Sequence, residues 1–137
     1  MTDLELMERA IEAREQAYAP YSHFRVGAAV LSADGRVFCG CNVENAAYTP
    51  TCCAERVAFF RAVSEGVREF SAIAIAGGKD KTLALCTPCG VCRQVMAEFS
   101  RPDFRVILGD GVGIFATTLG DLLPMAFSPE ALSEGDA

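Results

Sequence analysis

Positive charge is scarce in this chain: twelve Lys and Arg stand against eighteen Asp and Glu, a formal net charge of -6 over 137 residues. A protein that grips a polyanion carries a basic stripe, so DNA or RNA as the main ligand is disfavoured. Long apolar runs are missing as well. The longest, such as Val26 to Leu31, are strand-sized, against the roughly 18 residues that span a bilayer, so no membrane partner is expected. Histidine is nearly absent, and the single His23 leaves no serine triad to assemble. The opening Thr2-Asp3-Leu4-Glu5 shows no basic-then-apolar leader, and no repeat or linker divides the chain. The expectation is one domain over residues 1–127, an acidic mobile tail over 128–137, and a cytoplasmic location.

What the chain has in quantity is cysteine. Seven thiols are an odd number, and without an export signal a disulfide framework is not expected. In a reducing compartment such thiols are metal ligands or small buried apolar residues. Cys39 and Cys41 alternate along a strand and read as packing residues.

The periodicity opens with a helix. Thr2 and Glu5 form a capping-box pattern, Leu4, Met7 and Ile11 share a face, and the helix runs to about Ala17, short of Pro20. Strands over Val26 to Leu31 and Val37 to Val43 flank the hairpin signal Asp34-Gly35. A loop from Glu44 to Cys52 leads to a helix over Cys53 to Glu65 that is apolar around most of its circumference. Then come a strand from Phe70 to Ala76 ending at Gly77-Gly78 and an extended piece from Thr82 to Cys86. A helix from Cys89 to about Ser100 follows, with strands at Arg105 to Leu108 and Ile114 to Ala116 and a short helix at Leu119 to Leu123. A hairpin followed by alternating helix and strand implies a mixed sheet with helices on both faces, a three-layer α/β/α sandwich. Its strand-to-helix junctions fall just before Cys53 and Cys89, at the edge where open α/β sheets collect ligands.

Two motifs sit at those junctions: Cys53-Ala54-Glu55-Arg56 and Pro88-Cys89-Gly90-Val91-Cys92. Helical Cβ atoms lean toward the N-terminus, so Cys89 and Cys92 both project past their helix start, and Cys53 occupies the equivalent place on its own helix. Side by side, the two helices bring three sulfurs together. Sulfur ligands select zinc, copper(I) or iron–sulfur chemistry, and three protein ligands with one open position is how catalytic zinc is held. Glu55 follows Cys53 by two positions and can reach a water in that position without being a ligand. Arg56, beside it, can donate to a ligand sulfur and draw electron density from the metal. Other readings stay open at this level. Cys52 or Cys86 could close a four-sulfur structural site, Cys86-x-x-Cys89-x-x-Cys92 suits an iron–sulfur cluster, and the thiols could be metal-free.

Cys-Ala-Glu followed by Pro-Cys-x-x-Cys resembles the zinc-dependent cytidine deaminase superfamily. Tyr21 to Ala29, Gly40 to Tyr48, Pro88 to Gln94 and the C-terminal Leu122-Leu123-Pro124 with Ala126-Phe127 resemble its small homotetrameric members, a likeness covering roughly residues 5 to 130. The resemblance implies a mixed five-stranded sheet, one zinc per chain on Cys53, Cys89 and Cys92, and Glu55 as proton shuttle. It implies Phe24 on the pyrimidine ring, Asn42 and Glu44 on the ribose 3′-hydroxyl, and the backbone near Ala54 and Thr87 on the base. Tyr48 and Phe127 would reach a neighbouring subunit's site in a homotetramer. The activity implied is hydrolytic deamination of cytidine and 2′-deoxycytidine in pyrimidine salvage. Asn42 and Glu44 lie at the end of the second strand, where they could instead cap a turn. Three rivals share some features: an antibiotic-nucleoside deaminase, a polynucleotide-editing deaminase and a non-enzymatic zinc scaffold.

Overall fold

The computed structural model describes residues 1–133. The chain opens with α1 (Asp3–Arg14), whose Thr2 hydroxyl accepts from the Glu5 amide while the Glu5 carboxylate accepts from the Thr2 nitrogen, a closed capping box. The antiparallel pair β1 (Phe24–Ser32) and β2 (Val37–Cys41) follows, then α2 (Ala54–Ser64), β3 (Phe70–Lys79) and α3 (Gly90–Phe99). Strands β4 (Arg105–Gly109) and β5 (Ile114–Thr118) and the short α4 (Leu119–Leu122) complete the domain. The five strands form one mixed sheet in the order β2-β1-β3-β4-β5, with only β3 and β4 parallel. The acidic tail expected over 128–137 opens with a 3-10 helix, Pro129–Leu132, and its end, residues 134–137, lies outside the described residues.

Each face of the sheet carries its own core. On one side α2 and α3 bury Ala58, Phe59, Cys92 and Met96 against Val26, Ala28, Val30, Ile73, Ile75, Val106 and Leu108. On the other, α1 packs Leu6, Met7 and Ala10 on Ala29, Ala72, Ala74, Ala76 and Ile107. The central strand β3 therefore alternates in side-chain size rather than in polarity, because both its faces are covered. Small residues on the α1 face allow an unusually close approach. A Cβ on Gly27 would lie 2.0 Å from the Ala10 carbonyl oxygen, and on the opposite face one on Gly40 would lie 2.5 Å from the Ala58 nitrogen.

Several boundaries differ from the sequence expectation. Helix α1 stops at Arg14 rather than near Ala17, its end unwinding through tight turns such as Ala17 N–H to Arg14 O at 3.1 Å. Its buried face is Leu6, Met7, Ala10 and Arg14, and Leu4 is exposed, since the helix rotates to bring Ala10 onto Gly27. Strand β2 ends at Cys41, where the Asn42 side chain takes over pairing with Val26. Strand β3 runs through Gly77 and Gly78 to Lys79 because β1 extends far enough to pair with it there. The extended piece at Thr82 to Cys86 folds back over that strand end with one isolated bridge, Gly77 to Ala84. Among the described residues no helix is long and apolar enough to cross a membrane.

Candidate active site

Cys53 is the N-cap of α2 and Cys89 the N-cap of α3, both in extended backbone with no side-chain capping bond. Their sulfurs are thus free to face outward beyond two helix starts, each of which behaves like about half a positive charge and favours thiolate. Cys92 stands in the first turn of α3 and is buried. The Cys53 and Cys89 sulfurs are 3.8 Å apart, those of Cys89 and Cys92 3.5 Å, and all three lie within 4.8 Å of one another. Two sulfurs about 2.3 Å from a tetrahedral ion are about 3.8 Å apart, so the spacing fits zinc. Among the described residues no fourth Cys, His, Asp or Glu joins this group. Cys52 instead pairs its backbone with Val43, and the Cys86 side chain rests over Gly77. That leaves one corner of a tetrahedron without a protein ligand, the arrangement of a catalytic rather than a closed structural site.

The sulfurs are electronically uneven. The adjacent Cys92 thiol, together with Arg56 and Cys89, holds Cys53 down at about 5 despite its burial. Burial pushes the Cys86 thiol up to about 12, as befits an apolar packing residue. Arg56 donates from Nη2 to Cys53 Sγ at 3.4 Å. Glu55, one residue earlier in the first turn of α2, is only 4 % exposed, and burial pushes its carboxyl up to about 7. A carboxyl poised there both accepts and gives protons near neutral pH, the property a general acid–base residue needs. Ala54, which precedes it, is fully buried.

Phe24 begins β1 with 37 % of its surface exposed, and its ring lies against Gly77. Asn42 is buried just past β2. Its Oδ1 accepts from Val26 N–H at 2.9 Å and its Nδ2 donates to Phe24 O at 2.8 Å, so it staples both sides of the β1 start. Glu44 accepts from the amides of Tyr21 and Ser22 at 3.0 and 3.1 Å and from the Ser22 hydroxyl, which keeps its carboxylate ionised below the usual range. Both residues therefore hold the 21–26 segment in place, the turn-capping role left open by the sequence, while each retains capacity for another hydrogen bond. Tyr48 and Phe127 do not enter the cluster of this chain. They stand 75 % and 61 % exposed, and Phe127 is tethered only by its carbonyl, which accepts from Gln94 Nε2 at 2.7 Å.

Sequence reading missed several supports. Ser22 caps Glu44, and Arg93 donates to Pro88 O and Leu122 O, both at 2.7 Å, locking the start of α3. Arg14 was visible in principle as a cation on the apolar face of α1, at seven-residue spacing from Met7.

A family model described as the cytidine and deoxycytidylate deaminase zinc-binding region matches residues 1–108. A cytidine deaminase of Sporosarcina psychrophila is 52 % identical over 129 residues, 93 % of each chain. The blasticidin-S deaminase of Bacillus cereus is 30 % identical over 131 residues, 92 % of each. The crystal structure of cytidine deaminase from Burkholderia pseudomallei matches at a TM-score of 0.86 with 52 % identity, over 93 % of this chain and all of that one.

Proposed function

The chain belongs to the cytidine and deoxycytidylate deaminase family, and from that membership we propose that it hydrolyses cytidine to uridine and ammonia, and 2′-deoxycytidine likewise, using one zinc per chain. The observation that carries this reading is the three-sulfur cluster with the buried Glu55 carboxyl in the adjoining helical turn. Cys53, Cys89 and Cys92 would hold the ion, which when bound supplies an acidified water.

The rest of the chemistry belongs to the chain. Glu55 takes a proton from the attacking water and delivers it to N3 of the cytosine, which makes C4 electrophilic. The C4–O bond forms; Glu55 then takes the proton of the new C4 hydroxyl and passes it to the 4-amino nitrogen, the C4–N bond breaks as the C4 carbonyl forms, and ammonia leaves. One water is consumed and Glu55 ends as it began. Phe24 packs on the pyrimidine ring, and the backbone at Ala54 and Thr87 holds the base amide and its exocyclic amine. Asn42 and Glu44 use their remaining hydrogen-bonding capacity on the ribose 3′-hydroxyl. A carboxylate at that end is a poor neighbour for phosphate, which with the net charge of -6 favours a nucleoside over a nucleotide or polynucleotide.

The exposed rings of Tyr48 and Phe127 suit burial against other copies of the chain, and a homotetramer completing each site from neighbouring subunits is part of this reading. A cytoplasmic role in pyrimidine salvage follows from the same substrate assignment. The test is direct: measure zinc per chain, then follow ammonia release from cytidine, 2′-deoxycytidine and blasticidin S with and without a chelator. Chelator-sensitive release from the first two supports the reading. Release from blasticidin S alone, or release unaffected by zinc removal, overturns it.

A further inference from the structure

Arg14 is a buried cation, 4 % exposed, that meets carbonyl oxygens rather than a carboxylate. Its Nε donates to Arg25 O at 2.9 Å, and its Nη2 faces Gly78 O at 2.8 Å and the carbonyls of Asp80 and Thr82 at 2.6 Å each. Two Nη2 protons are shared among three oxygens. The guanidinium reaches Arg25 O through Nε and the other three carbonyls through Nη2 at once, whereas a lysine ammonium is a single point that cannot span both sides.

The four carbonyls belong to the start of β1 and to the segment that leaves β3. The last paired residues are Phe24 and Lys79. Beyond them His23 and Asp80 both take left-handed backbone, at φ 59° and 51°, and Asp80 N–H donates to His23 O at 2.8 Å. Non-glycine residues keep that conformation only where their surroundings hold them. The chain then folds back, with Thr82 N–H on Lys79 O at 2.9 Å and Ala84 N–H on Gly77 O at 2.8 Å. This return lays Cys86 on Gly77, where an added Cβ would meet the Cys86 sulfur at 2.6 Å and the Phe24 ring at 3.3 Å. Phe24 and Cys86 thus share one glycine floor, and Thr87 and Cys89 follow directly in the chain.

We propose that Arg14 is a positioning residue for the base-binding side of the site. By gathering the carbonyls of Arg25, Gly78, Asp80 and Thr82 it fixes the course of residues 78–86, and through them the placement of Phe24 and of the Thr87 backbone. The inference rests on the assignment of those two groups to the pyrimidine under the proposed function. Arg14 itself touches neither substrate nor metal ligands, so its effect falls on KM rather than on kcat.

The test compares the wild-type protein with Arg14→Lys and Gly78→Ala, well below their melting temperatures, for zinc per chain and for kcat and KM on cytidine. Arg14→Lys keeps the charge and loses the fork. KM should rise roughly tenfold, the scale of one charge-assisted hydrogen bond, with kcat and zinc content held within roughly twofold. Gly78→Ala puts a Cβ 2.0 Å from Thr82 O and lifts the returning segment off Arg14 while leaving the Arg14 side chain itself unaltered. It should raise KM similarly, and the double variant should do no more than the worse single one. Gly78→Ala carries the test alone if Arg14→Lys does not fold. A lowered melting temperature with wild-type KM in the folded variants overturns the inference and leaves the deaminase reading intact. Absence of turnover in the wild-type protein overturns both.

Discussion

Arg56 donates a hydrogen bond from Nη2 to the sulfur of Cys53, three residues earlier at the same helix start, across 3.4 Å. Its Nε is buried without a partner among the described residues, so the guanidinium is held in this position by the sulfur rather than by a carboxylate. Under the proposed zinc site, a donor on the Cys53 sulfur would withdraw electron density from a centre that three thiolates otherwise leave with a net charge of -1, supporting acidification of the water.

Arg56→Gln should therefore keep zinc and lose activity. Supporting residues around metal ligands are typically worth about 10–100-fold, and a fall of that size in kcat/KM on cytidine is expected at unchanged zinc per chain. Steady-state kinetics beside metal analysis check it; an unchanged kcat/KM would remove Arg56 from the account.

Glu55→Ala separates metal binding from proton transfer. Glu55 is not a member of the sulfur cluster, so zinc should remain near one per chain. Turnover should fall by about 10²–10⁴-fold, the range for a positioned acid–base group. Single-turnover uridine formation reads this, and a rate near that of the wild type would assign the proton transfers elsewhere.

The order of the layers and the clustering of Cys53, Cys89 and Cys92 were legible because their signals are local. The Cys53 and Cys89 helix starts follow from proline, glycine and apolar spacing, and the capping box at Thr2 is a four-residue pattern. What was not legible depends on contacts remote in sequence. The rotation of α1 is set by Gly27, which no property of the helix itself reveals. The course of 77–86 is set by Arg14, more than sixty residues earlier. That Asn42 and Glu44 staple the 21–26 segment, the turn-capping alternative the sequence left open, needed the fold to show, since their spacing marks only a strand end.

Gly27→Ala tests that packing. The new Cβ would lie 2.0 Å from Ala10 O and 2.4 Å from Arg14 N, backbone atoms that move only with the whole helix. A loss of about 1–3 kcal/mol or more is expected from such overpacking, read as a lower urea midpoint. Gly113→Ala has open space around the added carbon and should stay within about 0.5 kcal/mol of the wild type.

Asp3 and Arg105 join the start of α1 to β4 through two hydrogen bonds, at 2.8 and 2.5 Å, which hold the Asp3 carboxyl below its ordinary 3.8. A depressed folded-state value stabilises above the unfolded one, and the contribution vanishes as pH falls through the folded one. The pair is well exposed, so its worth is about 0.5 kcal/mol. Asp3→Asn should lower the melting temperature by about 1–3 °C at neutral pH and by less at a pH well below 3.8. An equal difference at both pH values would contradict the ion pair as its source.

The most direct test of the central claim is X-ray absorption at the zinc edge of the purified protein, which counts the atoms bound to the ion. Three sulfurs at about 2.3 Å and one oxygen or nitrogen at about 2.0–2.1 Å are predicted. Four sulfurs would show a fourth cysteine closing the site, and would contradict a hydrolytic centre built on Cys53, Cys89, Cys92 and Glu55.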